Sequence, residues 1–309
     1  MKKIWKYLKA HFKEDFDPNT YVSVSIFLAV AIVTNYITDF EDSILDSFTG
    51  VTKYVLYLLF YSLPYYFSVF IVTRKSKHPV WTSQFFFKSA FGLMVLSLDA
   101  SMPFLRAMIS GARVEIYYWL YKVTVNLISI VTVLTPLFLY YCFFEKKKEG
   151  FYGLTPQKFD ISPYIQMLLL MIPVLIAATW LPGFLTQYPM YKVNEAHEYF
   201  GVPAFVTALS YEFAYGFDFV TVELLFRGFM VIGMSALLGR KAILPMAVIY
   251  CFLHFGKPAG EAVSSIFGGY ILGVIAYETR SIWGGVIVHV GIAWLMEIIS
   301  LIAKTIRVE

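Results

Sequence analysis

Apolar residues run in long blocks separated by short polar stretches. The blocks fall at 21–40, 54–73, 82–99, 116–144, 162–185, 203–238, 242–255, 263–277 and 282–303. Most approach or exceed the roughly 20 apolar residues that a helix needs to cross a bilayer. In a membrane only helices and closed barrels satisfy every backbone group internally, and blocks of this length read as helices. The pattern therefore predicts an all-α, polytopic transmembrane bundle of about eight or nine spans. The 203–238 block is too long for one simple crossing, and Gly216 is expected to break it, with a re-entrant first half. Pro64, Pro136, Pro173 and Pro182 lie inside blocks and read as kinks.

Composition agrees with this picture and excludes a soluble enzyme. The 309 residues are 59% hydrophobic and only 15% charged, against about 25% charged for soluble domains. Lys2, Lys3, Lys6, Lys9 and Lys13 precede a first block that starts near Tyr21, too late and too long for a cleavable signal peptide. With the N-terminus in the cytoplasm, inner loops hold fifteen of the 25 Lys and Arg residues and outer loops seven, as the positive-inside rule requires. Lys88 and Lys122 lie near block ends and are expected to snorkel to the interface. The run Glu145-Lys146-Lys147-Lys148-Glu149 reads as a cytoplasmic hinge between an N-terminal part, 1–150, and a C-terminal core, 160–303. The net charge of +4 needs no nucleic acid to explain it, and Cys142 and Cys251 alone build no disulfide framework. The expected partners are the lipid bilayer and a membrane-associated protein or peptide. No internal repeat supports a carrier built on inverted halves.

Ionisable side chains at membrane depth are costly and point to function by default. They concentrate late in the chain, as Glu212, Asp218, Glu223, Arg227, His254, His289 and Glu297. Glu223 and Arg227 are one helical turn apart and can pair. His254 and His289, with Glu223, come from three separate blocks, so only tertiary structure can bring them together. Two histidines and a glutamate can ligate zinc or jointly activate a water, and spacing does not choose between the two. Counting about 1.5 Å per residue from the inner ends puts Glu223 and His254 roughly 20 Å deep and His289 near 10 Å. That difference separates His289 from the others unless tilt or a shifted boundary closes it.

Three short motifs resemble those of the CPBP family, the CAAX-protease and bacteriocin-processing (Abi) intramembrane proteins. Val222-Glu223-Leu224-Leu225-Phe226-Arg227-Gly228 is similar to its Glu-Glu-x-x-x-Arg signature. Tyr250-Cys251-Phe252-Leu253-His254 is similar to Phe-x-x-x-His, and His289-Val290-Gly291-Ile292-Ala293 to His-x-x-x-Asn. Gly268-Gly269 and the helix start at Ser281-Ile282-Trp283 fit as well. The resemblance covers about residues 160–303. It implies an intramembrane endopeptidase in which glutamate and histidine activate water, with Glu223, His254 and His289 catalytic and Arg227 orienting Glu223. Val222 replaces the first glutamate of the signature and Ala293 its asparagine. Asp218 and Glu297, each one turn away on the same face, are the candidates to replace the lost groups. If they do not, the alternative is a non-catalytic binding or immunity-type membrane protein on the same scaffold.

Overall fold

The computed structural model describes residues 2–76, 79–145, 150–155 and 160–308. Lys146, Lys147, Lys148 and Glu149 of the expected hinge lie outside the described residues. Among the described residues the longer helices are α1 (Lys2–Asp15), α2 (Pro18–Thr38), α3 (Gly50–Thr73), α4 (Ser83–Ser101), α5 (Val114–Glu145), α6 (Ser162–Ala178), α7 (Ala204–Glu223), α8 (Ile243–Phe252), α9 (Ala259–Thr279) and α10 (Trp283–Val308). Among the described residues six stretches are long and apolar enough to cross a membrane, one of them the continuous run Ala204–Phe252, and the apolar α6 is shorter. No strand occurs among the described residues. The chain is an integral membrane protein built as a polytopic helical bundle.

Local signals set the helix starts. The Asp17 carboxylate caps α2 by accepting from Thr20 N at 3.2 Å, with Pro18 in the first turn where its missing N–H costs nothing. Thr82 caps α4 through Phe85 N at 3.2 Å. Pro64 and Pro173 lie within α3 and α6, whereas Pro182 falls beyond the end of α6.

Gly216 does not break its helix. α7 runs through it, and a Cβ there would stand 2.9 Å from the Trp294 ring. The glycine lets α7 approach α10 closely, which a backbone pattern alone does not distinguish from a kink. The change in winding comes later: Leu224–Gly233 forms a widened π-helical run with nine of its ten residues buried. Single widened turns of this kind are frequent at functional sites. Beyond it the chain folds back, so that the Phe226 and Tyr250 rings lie 5.1 Å apart. α8 has only 10 residues, about 15 Å of helix, and is a buried core element rather than the full span expected at 242–255.

One apolar core runs through both parts of the chain. Phe60 of α3 packs on Phe252 of α8 at 5.2 Å between centroids, and Phe91 of α4 on Phe229 at 5.9 Å. Lys88 does not snorkel. It is 4% exposed, pairs with Glu145, donates to the Gly233 carbonyl at 2.7 Å and lies over the Tyr152 and Phe229 rings. The pair ties α4 and the end of α5 to the π-helical run that follows Glu223.

Candidate active site

The end of α7 and the π-helical turn after it put Glu223 and Arg227 on one buried face, both fully excluded from solvent. Arg227 NH1 lies 2.9 Å from Glu223 Oε1. The same oxygen is 3.1 Å from His289 Nδ1 on α10. A Cβ on Gly285, one turn before His289, would overlap Glu223 Oε2, so only glycine lets α10 come close enough for this contact. The expected gap in depth is therefore closed. The helical run holding Glu223 ends at Gly233 rather than Leu238, which places Glu223 about 15 Å rather than 20 Å from that end.

His289 Nε2 is 3.1 Å from the Tyr250 hydroxyl. Tyr250 stands where the family signature carries phenylalanine. Its ring lies 4.2 Å from the Arg227 guanidinium carbon, within range of a cation–π contact, and 4.7 Å from the His254 ring. Its carbonyl oxygen is 2.8 Å from His254 Nδ1. Tyr250 thus touches Arg227 and both histidines.

These contacts constrain the protons. A carbonyl oxygen only accepts, so His254 Nδ1 carries the hydrogen, and the neutral ring presents Nε2 as a free lone pair. An ionised carboxylate also only accepts, so His289 Nδ1 donates to Glu223 while Nε2 accepts from the Tyr250 O–H. The site therefore contains an unprotonated nitrogen on His254 beside a chain in which Arg227 forms an ion pair with Glu223 and hydrogen bonds link Glu223, His289 and Tyr250. The turn bearing His254 is held by α2: Asn35 Nδ2 donates to the Phe255 carbonyl at 3.1 Å, and the Tyr36 hydroxyl to the Lys257 carbonyl at 2.6 Å.

Residues 202–295 match the family described as type II CAAX prenyl endopeptidase Rce1-like. This segment is Rce1-like. It begins just before α7, ends two residues past Ala293, and contains every side chain of the cluster. The three motifs that resembled the CPBP family all lie inside it, and at family level it is similar to CAAX-protease-like membrane endopeptidases. No curated protein and no solved structure matches the chain.

Within the Rce1-like segment, the side chains at the two departures pack against apolar and aromatic neighbours. Val222 packs on the main apolar core, and Ala293 is 3% exposed in a cluster with Tyr191, Tyr211, Tyr215 and Phe219. The structure does not bring the two candidate substitutes into the cluster. Asp218 sits against Ser129 and Thr221, toward Asp99 of α4. Both oxygens of Glu297 accept from Met190 N, at 2.9 and 3.0 Å, which pins the loop before α7. Among the described residues no group of three His, Cys, Asp or Glu side chains is placed to hold a metal ion. Glu223 and His289 contact each other rather than converging with His254 on a third point. Asn35 and Tyr36 are not marked by the sequence, and Tyr250 is marked only as the first position of the Phe-x-x-x-His-like motif, without a role for its hydroxyl. Tyr250 carried one usable signal, its position one turn before His254 on the same face.

Proposed function

We propose that this chain is an intramembrane endopeptidase that hydrolyses a peptide bond in a membrane-associated protein or peptide. His254 Nε2 takes a proton from water as the water oxygen attacks the scissile carbonyl carbon. The resulting imidazolium returns that proton to the departing amine. Glu223 holds His289 at Nδ1, Arg227 holds Glu223, and the Tyr250 O–H, donated to His289 Nε2, fixes the other side of that ring. The observation that supports this reading is the Glu223, His289, Tyr250 chain next to a histidine whose Nδ1 is already occupied by a backbone carbonyl.

A second reading keeps the scaffold without hydrolysis. It is favoured by the apolar packing of Val222 and Ala293, and by the engagement of Asp218 and Glu297 elsewhere. The two separate in one assay. Purified protein in nanodiscs is given a farnesylated CAAX-type peptide, chosen for the matched family, and an unmodified membrane-anchored peptide. On the first reading the wild type cleaves at least one, and His254→Gln lowers the rate about 100-fold or more. A folded wild type that cleaves neither, while the double substitution Val222→Glu, Ala293→Asn gains cleavage, establishes the second.

A further inference from the structure

α1 arranges three chemistries around one short helix. At about 100° per residue, its buried side is formed by Ile4 and His11, which rest on the bundle with 4% and 1% exposure. Roughly a quarter turn away, Trp5, Phe12 and Phe16 form one stripe with exposures of 60%, 45% and 49%. Beside that stripe, on the side away from the bundle, lie Lys9, Lys2, Lys13 and Lys6, with Lys3 further round, all exposed.

The aromatic stripe is continuous with the outer face of the bundle. Phe12 and Phe16 pack on Tyr21 at the base of α2, with centroids 6.1 and 4.9 Å away. From there Val22, Ile26, Val30, Val33 and Ile37 continue an exposed apolar row up α2, a helix long and apolar enough to span. α1 is also held in place: Glu14 pairs with Arg240 at 3.1 Å, and Arg240 with Glu278 of α9 at 2.8 Å.

Of the nearby acids, Glu14 is taken by Arg240 and Asp17 pairs with Lys75 and Arg74, while Asp15 lies against the His11 ring at 3.7 Å. None of the five lysines of α1 has a carboxylate within ion-pair distance among the described residues. A helix with one apolar aromatic side at the edge of a lipid-facing wall and a neighbouring lysine side matches a bilayer interface whose headgroups are anionic.

We propose that α1 is an interfacial helix that binds anionic phospholipid. Trp5, Phe12 and Phe16 enter the boundary of the acyl chains, and the lysines meet lipid phosphates of the same leaflet. The test uses the full chain in nanodiscs of phosphatidylcholine mixed with phosphatidylglycerol. Brominated acyl chains are expected to quench the Trp5 contribution, obtained as the difference between wild type and Trp5→Phe. Replacing the five exposed lysines by glutamine is expected to lower the preferential retention of phosphatidylglycerol about tenfold or more, while the thermal melt of the bundle stays unchanged. An unquenched Trp5, as for a helix facing a soluble acidic partner, overturns the proposal. So does a lysine-free variant that retains the same lipid preference.

Discussion

Glu223 has one carboxylate oxygen in contact with both Arg227 and His289, and all three act as a unit. Glu223→Gln leaves a guanidinium fully buried without its counter-charge, and breaking such a pair costs about 3–5 kcal/mol. A large fall in the melting temperature of the detergent-solubilised protein is the expected result, with a smaller fall for the double substitution Glu223→Leu, Arg227→Met. Tyr250→Phe is the gentler probe, because it keeps the ring over Arg227 and against His254 and removes only the hydroxyl. Its expected effect is about a tenfold loss of kcat with little change in KM. The ¹⁵N signal of His289 Nε2 should shift as it loses the hydrogen bond it accepts, while Nδ1–H stays on Glu223. An unchanged His289 spectrum would show that the hydroxyl does not hold the ring. The ion pair was legible from spacing, since one helical turn puts two side chains together wherever the helix lies. Tyr250 was not, because an aromatic residue in an apolar block reads as core until its hydroxyl has a neighbour.

Single elements carry their own constraints. α10 meets α7 through Gly285, and Gly285→Ala puts a methyl group where Glu223 Oε2 lies. Loss of hydrolysis with an intact fold is expected, measured by the same peptide assay beside a circular dichroism melt. On α1, burial first and the charge of Arg240 second push the His11 pKa down from 6.5 to about 4. Asp15, at 3.7 Å, and the edge of the Tyr270 ring are its other close neighbours. The docked ring is thus neutral, and its stabilisation is complete above the undocked value of 6.5 and is lost as the pH falls from there toward 4. The protection factors of the α1 amides, corrected for the intrinsic pH dependence of exchange, should fall as the pH drops through that window, and His11→Leu should abolish that fall. The apolar blocks predicted where α7 and α10 lie; α1 precedes the first block, and neither the short α8 nor the π-helical run was foreseen. Both are settled by what packs against them rather than by hydropathy.

Across the whole molecule, the N-terminal helices and the Rce1-like segment share one core, and Lys88 with Glu145 joins them at a buried point. Lys88→Met alone is expected to destabilise the bundle by about 3–5 kcal/mol, whereas Lys88→Met with Glu145→Leu should restore most of it. A guanidinium-free thermal melt of both variants in nanodiscs decides this. Equal destabilisation by the single and the double change would mean that the pair itself is needed. By itself the sequence determined that the chain lies in the membrane as helices, because the cost of unsatisfied backbone groups in lipid leaves apolar blocks of this length no other form. It also showed that most ionisable groups inside the apolar blocks, rare as such groups are at membrane depth, fall late in the chain. Only the tertiary structure decided which of those groups meet. Glu223, His254 and His289 come from different helices, and their distances depend on helix ends, on the close approach that Gly285 allows and on the intervening Tyr250. Asp218 and Glu297 have the same residue chemistry, yet their helix faces turn them toward other partners.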